Sequence, residues 1–286
     1  MKRLVVFGCG YSAKRFVELH GAEFDAIDVT SRSPEGVAAL AAAGLSAHVF
    51  DGTATPHALE QAIAGATHAL VSAGPSEAGD PTLNGAGSAL SRAPRLEWIG
   101  YLSTIGVYGD AGGGWVDEDT PPSPENDRAR RRVEAEDAWI ALGRHKGVPV
   151  QILRLAGIYG PGRSAIENLR AGTARRLVKP GQVFNRIHVD DIATAIAAGI
   201  ARPEVGPAIN VTDDEPAPPQ DVVAYAAELI GAPVPPDIPF DAADLSPMAR
   251  SFYSSNKRVA NRRLREQLGV ELRYPTYREG IAALAC

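Results

Sequence analysis

Short apolar runs and stretches with helical spacing of apolar residues alternate along the first half of the chain. Residues 4–7, 24–31, 47–50, 69–72, 98–103 and 150–155 are brief, mostly apolar runs and read as buried strands. Between the early runs, residues 12–20, 34–43 and 56–64 carry the spacing of helices. Gly44 ends the second of these, and Asp51-Gly52 stops the third strand. This alternation predicts a parallel sheet covered on both faces, a doubly wound α/β fold of Rossmann type.

After the fifth run the pattern changes. Gly112-Gly113-Gly114 and the proline-rich stretch at 121–124 mark a loop. A strongly charged helix is expected over 127–142, with Asn126 and Asp127 as its N-cap pair. Beyond Tyr159-Gly160-Pro161-Gly162 the alternation is irregular. Proline-rich segments at 216–219 and 233–239 flank a helix at 221–230, and 259–268 reads as a last amphipathic helix. The expected division is a nucleotide-binding domain over 1–160, with 183–212 returning to it, and a smaller α/β substrate lobe over 161–286.

Composition narrows the function classes. The 286 residues are 45% hydrophobic and 22% charged, so the chain can bury a full core without metal or disulfide staples. A formal net charge of −5 gives no bulk attraction for nucleic acid or an anionic membrane. The two cysteines, Cys9 and Cys286, provide neither a disulfide framework nor a zinc-ligand spacing, and a cytoplasmic location is expected. Met1-Lys2-Arg3 before an apolar run imitates a secretory leader. Gly8, Gly10, Lys14 and Arg15 break the run too early for one. No window is long and apolar enough to span a membrane.

The first strand leads into Gly8-Cys9-Gly10-Tyr11-Ser12-Ala13, a G-x-G-x-x-A turn that opens a helix. Gly8 permits the tight turn, Gly10 lets backbone approach a pyrophosphate, and Ala13 keeps helix against strand. After Tyr11, Ser12 begins a helix whose free N–H groups and positive dipole end suit phosphate. Cys9 reads as a small residue in the turn. These residues predict a bound nicotinamide dinucleotide. Asp28, twenty residues after Gly8, has the spacing of a ribose-binding acid and would favour NAD. It sits inside the second strand, however, whose end reads Thr30-Ser31-Arg32. A hydroxyl pair beside an arginine suits a 2′-phosphate, so NADP is favoured over NAD. Asp51 closes the third strand, where its carboxylate either reaches the adenine edge or forms a turn with Gly52.

Later segments carry a resemblance. Tyr101-Leu102-Ser103-Thr104-Ile105-Gly106-Val107-Tyr108-Gly109-Asp110, Arg154-Leu155-Ala156-Gly157-Ile158-Tyr159-Gly160-Pro161-Gly162-Arg163, Arg186-Ile187-His188-Val189-Asp190-Asp191-Ile192-Ala193 and the tail from Asn256-Lys257-Arg258-Val259 follow the turn in order. Together they resemble an extended short-chain dehydrogenase/reductase of the NAD-dependent epimerase/dehydratase type. The resemblance implies that Thr104, with Ser103 beside it, binds the reacting oxygen of a substrate. It also implies a Tyr-x-x-x-Lys pair on the next helix. Here Arg128 stands at the tyrosine position and Arg132 at the lysine position, so the chain resembles an atypical branch with a changed active site. Arginine stays charged near neutral pH and is no ordinary proton donor, but it can hold a ribose, phosphate or carboxylate.

Tyr108 and Tyr159 are candidate cleft residues, and Arg163 could meet an anionic substrate. His188, Asp190 and Asp191 read as a strand–helix junction capped by one of the aspartates, with no metal expected. The basic pairs Lys257-Arg258 and Arg262-Arg263 read as solvated helix face. The expected function is an NAD(P)-dependent oxidoreductase or epimerase for a small hydroxyl or carbonyl substrate, such as a sugar nucleotide. The alternative is a catalytically inactive dinucleotide sensor, and a homodimer is a further expectation.

Overall fold

The first strand shows how the chain builds its layers. In β1 (Arg3–Phe7) Leu4 and Val6 face one apolar cluster while Val5 and Phe7 face another, all four fully buried. That double burial is what a central parallel strand requires. A computed structural model describes residues 1–285, and of Met248 the backbone alone; Cys286 lies outside them.

Six further strands join β1: β2 (Ala26–Ser31), β3 (Ser46–Val49), β4 (His68–Val71), β5 (Trp98–Thr104), β7 (Val150–Leu155) and β11 (Ala208–Val211). They form one sheet in the order β11-β7-β5-β4-β1-β2-β3, parallel throughout. The order reverses beside β1, which opens a crevice at the C-terminal ends of β1 and β4. The sheet matches the expected Rossmann-type fold.

One face is covered by α1 (Tyr11–His20), α2 (Pro34–Ala42) and α7 (Val189–Ala201), through Phe16, Val17, Leu40 and Ile196. The other is covered by α3 (His57–Gly65), α4 (Pro81–Arg92) and α5 (Asp127–Lys146), through Leu59, Ile63, Leu90 and Trp139. Each such side chain, once buried, stabilises by about 1.5–3 kcal/mol. The indoles of Trp98 and Trp139 find partners in Gln151 Oε1 at 2.9 Å and Asp80 Oδ2 at 3.3 Å.

Shorter pieces complete the chain. Parallel pairs join β8 (Gly157–Tyr159) to β10 (Arg186–His188), β9 (Arg176–Val178) to β12 (Asp237–Pro239), and β6 (Trp115–Val116) to β13 (Arg258–Val259). The helices α6 (Ala165–Arg170), α8 (Pro219–Leu229) and α10 (Tyr277–Ala285) share a separate apolar cluster around Ile166, Val222 and Ile281. The short α9 (Pro247–Phe252) follows β12.

Three expectations fail. Lys257-Arg258 is not a solvated helix face, since Lys257 is buried with its ammonium on the Gly109 carbonyl and Arg258 lies in β13. Residues 259–268 are not an amphipathic helix: Val259 pairs within β13, and only a wide turn at Arg263–Gln267 follows. The apolar spacing there serves the main core, where Leu264 and Leu268 are buried. The cap of α7 is neither Asp190 nor Asp191 but His188, whose side chain accepts from the Asp190 N–H at 3.1 Å. Asp190 instead pairs with Arg15 at 2.7 Å, and Asp191 accepts the backbone N–H groups of Arg273 and Tyr274.

Candidate active site

Gly8 leaves β1 with φ +79°, and its N–H donates to Thr30 Oγ1 at 2.9 Å, which ties the turn to the end of β2. Cys9 N–H donates to the Thr30 carbonyl at 3.0 Å. Burial pushes the Cys9 thiol up to about 11, so it stays protonated and acts as a packing residue. Gly10 is the N-cap of α1 and offers no side-chain acceptor, so the first N–H groups of the helix remain open. A Cβ on Gly10 would meet nothing within 4 Å. The turn thus combines a free anion-binding helix end with room beside it, and a dinucleotide pyrophosphate fits both. Ala13 is fully buried against the sheet and Ser12 is buried. The Tyr11 hydroxyl donates to the Pro161 carbonyl at 3.0 Å, and the exposed Arg163 lies over the Tyr11 ring at 5.9 Å. The loop after β8 is therefore bound to the turn.

A cleft beside the turn is lined by Gly8, Thr30, Ser31, Arg32, Phe50, Asp51, Ala73 and Pro81. Arg32 is exposed there, and Ser31 lies against Gly36 in the first turn of α2. Asp28 is not at this end. Its carboxylate accepts from Ser46 at 2.7 Å and His48 at 2.9 Å in the middle of the sheet edge. Glu35 stands in the first turn of α2, its carboxyl held low by its own backbone N–H and by Ser33. Asp51 accepts from the Thr53 N–H and hydroxyl, the geometry of a turn former.

At the end of β5 the two hydroxyls part. Thr104 is half-buried and accepts from the Gly106 N–H at 3.1 Å, which leaves its own hydrogen free to donate. Ser103 turns to the other face and donates to Glu136 Oε1 at 2.5 Å, so its hydroxyl is taken up in the core. Glu136 also pairs with Arg154 at 2.7 Å, both buried. Arg154 reaches Tyr108, whose hydroxyl donates to Asn210 Oδ1 at 2.8 Å. Tyr108 is therefore a buried network member rather than a cleft wall. Tyr159 is also buried, against His188, and burial pushes both phenols up.

Asn126 caps α5 by accepting from the Ala129 N–H at 2.9 Å, while Asp127 pairs with Arg130. Arg128 is exposed on the first turn. Arg132, one turn later, reaches the sheet and donates through Nη1 to the Tyr101 hydroxyl at 3.0 Å and the Leu102 carbonyl at 2.9 Å. The structure adds two residues that the motifs missed, Ala73 and Gly74, which follow β4 and approach Gly8 and Arg132 respectively. The small-residue run Ser72-Ala73-Gly74 after a strand end is the signal that could have found them.

The profile of the NAD-dependent epimerase/dehydratase family matches residues 15–212. The chain belongs to this family. A conserved protein of unknown function from Silicibacter pomeroyi has a solved structure 49% identical to this chain, with a TM-score of 0.89, covering 100% of this chain and 98% of that one. The dTDP-glucose 4,6-dehydratase of Bacillus anthracis, solved in complex with NAD, shares the family fold. It is 17% identical, with a TM-score of 0.80, and the match covers 100% of this chain and 96% of that one. A 3-diazoavenalumate denitrifying reductase from a Streptomyces species is 29% identical over 184 residues, 58% of each chain. The matches span about three fifths of the curated relatives' own length. Among the described residues, no helix is long and apolar enough to cross a membrane.

Proposed function

We propose that this family member is an NADP-dependent oxidoreductase with an active site that lacks the usual tyrosine acid. The observation that carries the reading is the uncapped N-terminus of α1 beside the open Gly10. Choice of NADP over NAD is supported at β2: Asp28 is engaged by Ser46 and His48, whereas Ser31 and Arg32 line the cleft where a 2′-phosphate would lie. The bound nicotinamide supplies hydride transfer.

In this reading Thr104 donates its free hydrogen to the substrate's oxygen and orients it. A hydroxyl or carbonyl substrate fits, a sugar nucleotide among them. Tyr101, Tyr108 and Tyr159 are poor acids here, since burial raises all three phenols. The site therefore suits hydride acceptors that take their proton from water, or that lose a leaving group and need no proton. The Streptomyces relative is named for a denitrifying reduction of a diazo compound.

Purified protein is to be mixed with NADPH and a panel of carbonyl and diazo compounds while the near-ultraviolet absorbance of the reduced nicotinamide is followed. Consumption that is substrate-dependent and slowed by Thr104→Val supports the reading. NADPH binding without consumption across the panel favours a dinucleotide sensor instead, in which Arg128 and Arg132 mark lost chemistry.

A further inference from the structure

Arg132 carries a guanidinium edge that hydride transfer and Thr104 do not use. Nη1 has two hydrogens, and its bonds to the Tyr101 hydroxyl and the Leu102 carbonyl take both. The Tyr101 ring lies 5.4 Å from Cζ, which further fixes the group. Nη2 stands beside Gly74, where a Cβ would come within 2.7 Å. Neither Nη2 nor Nε makes a hydrogen bond among the described residues, and neither is a sealed buried atom. These two nitrogens form the side of the guanidinium that can meet a carboxylate with two parallel N–H bonds. Asp80 feels the Arg132 charge but makes no ion pair with it: its carboxylate accepts from Thr82 N–H, Leu83 N–H and the Trp139 indole.

Gly74 follows β4, so that edge lies at the end of the sheet where the crevice beside β1 and β4 opens. Leu102 lies two residues before Thr104 on β5, so Arg132 is anchored at the strand end that presents the Thr104 hydroxyl. Arg128 stands four residues earlier on α5, exposed and on the same helical face, and adds a second positive charge.

We propose that the Nε/Nη2 edge of Arg132 binds a carboxylate of the substrate, so that the enzyme acts on a carboxylic acid. This rests on the oxidoreductase reading above. Arg132 is pre-positioned by Tyr101 and Leu102, and Gly74 keeps the space beside it clear. A hydroxyl-only ligand would leave the planar fork half used, whereas a carboxylate fills it and neutralises the charge.

The test is calorimetric titration of NADP-saturated protein with benzoate and with benzamide, its neutral counterpart. Wild type is expected to bind benzoate at least about tenfold more tightly than benzamide. Arg132→Gln is expected to remove that difference while leaving NADP affinity within about threefold, and Arg132→Lys to restore only part of it. Gly74→Ala, whose backbone needs no left-handed conformation, is expected to weaken benzoate by crowding Nη2. Equal binding of benzoate and benzamide by wild type overturns the proposal. So does an Arg132→Gln variant that loses NADP and keeps benzoate, since the guanidinium would then belong to the cofactor. The same titrations on cofactor-free protein separate the two readings. Benzoate binding that depends on Arg132 sustains the carboxylate site even where NADP fails to bind.

Discussion

A Cβ on Gly8 would stand 3.0 Å from the backbone nitrogen of Ala73. The Ala73 N–H donates to the Phe7 carbonyl at 3.1 Å, and β1 and β4 are paired neighbours, so neither segment can retreat. The φ of +79° adds a second penalty for any side chain there. Gly8→Ala is expected to cost about 1–3 kcal/mol in urea unfolding. Gly10→Ala meets open space and should leave the unfolding midpoint unchanged, yet lower dinucleotide affinity at least about tenfold by filling the phosphate side of the turn. Equal effects of the two variants on stability would contradict this division of roles.

The Glu136–Arg154 pair is expected to dominate the stability of the β5–α5 junction. Both side chains are buried, at 2% and 6% exposure, and Glu136 also holds the Ser103 hydroxyl. Glu136→Ala strands the Arg154 charge and should cost about 3–5 kcal/mol. Replacing both residues with leucine should recover much of that loss, and chemical denaturation of the two variants measures it.

Asp213 predicts a pH dependence. It is 1% exposed, and among the described residues its carboxylate has no well-formed hydrogen bond, only a weak pull from the Glu215 backbone N–H. Burial pushes the carboxyl up to about 8 from 3.8, against the opposing pull of Arg186. The folded state therefore holds a proton that the unfolded chain releases. This contribution is fully present below the unfolded value and is lost as pH rises towards about 8, at up to about 1.4 kcal/mol per pH unit. The thermal unfolding temperature of the wild type should fall as pH rises between those limits. Asp213→Asn, which mimics the neutral acid, should flatten the profile, and an unchanged profile would show that Asp213 is ionised in the fold.

Six of the seven sheet strands and the Gly8–Ala13 turn were legible because their signals are local, whereas β11 went unread. Strand–helix alternation, Gly8, Gly10 and the Asn126 cap need only their near neighbours in sequence. Helix α4 was missed because Asn84, Gly85 and Gly87 dilute its helical signal, which Asp80 offsets by capping Thr82 and Leu83. The segment at 259–268 was misread because its apolar spacing is spent on β6 and on the core beneath β11. The roles of Asp190 and Asp191 depended on Arg15 and on Arg273-Tyr274, far away in sequence. At the site the same limit applied: Thr104 was visible as a motif position, but the partners of Ser103 and Arg132 come from other elements.

The most direct test of the cofactor assignment is calorimetric titration of wild type and Arg32→Ala with NADPH and with NADH. Wild type is expected to bind NADPH at least about tenfold more tightly than NADH, and Arg32→Ala to lose this preference while retaining NADH affinity. Tighter NADH binding would place the 2′ contact elsewhere, with Asp51 the acid that lines the cleft, and absence of binding by either would contradict the reading of the Gly8–Ala13 turn.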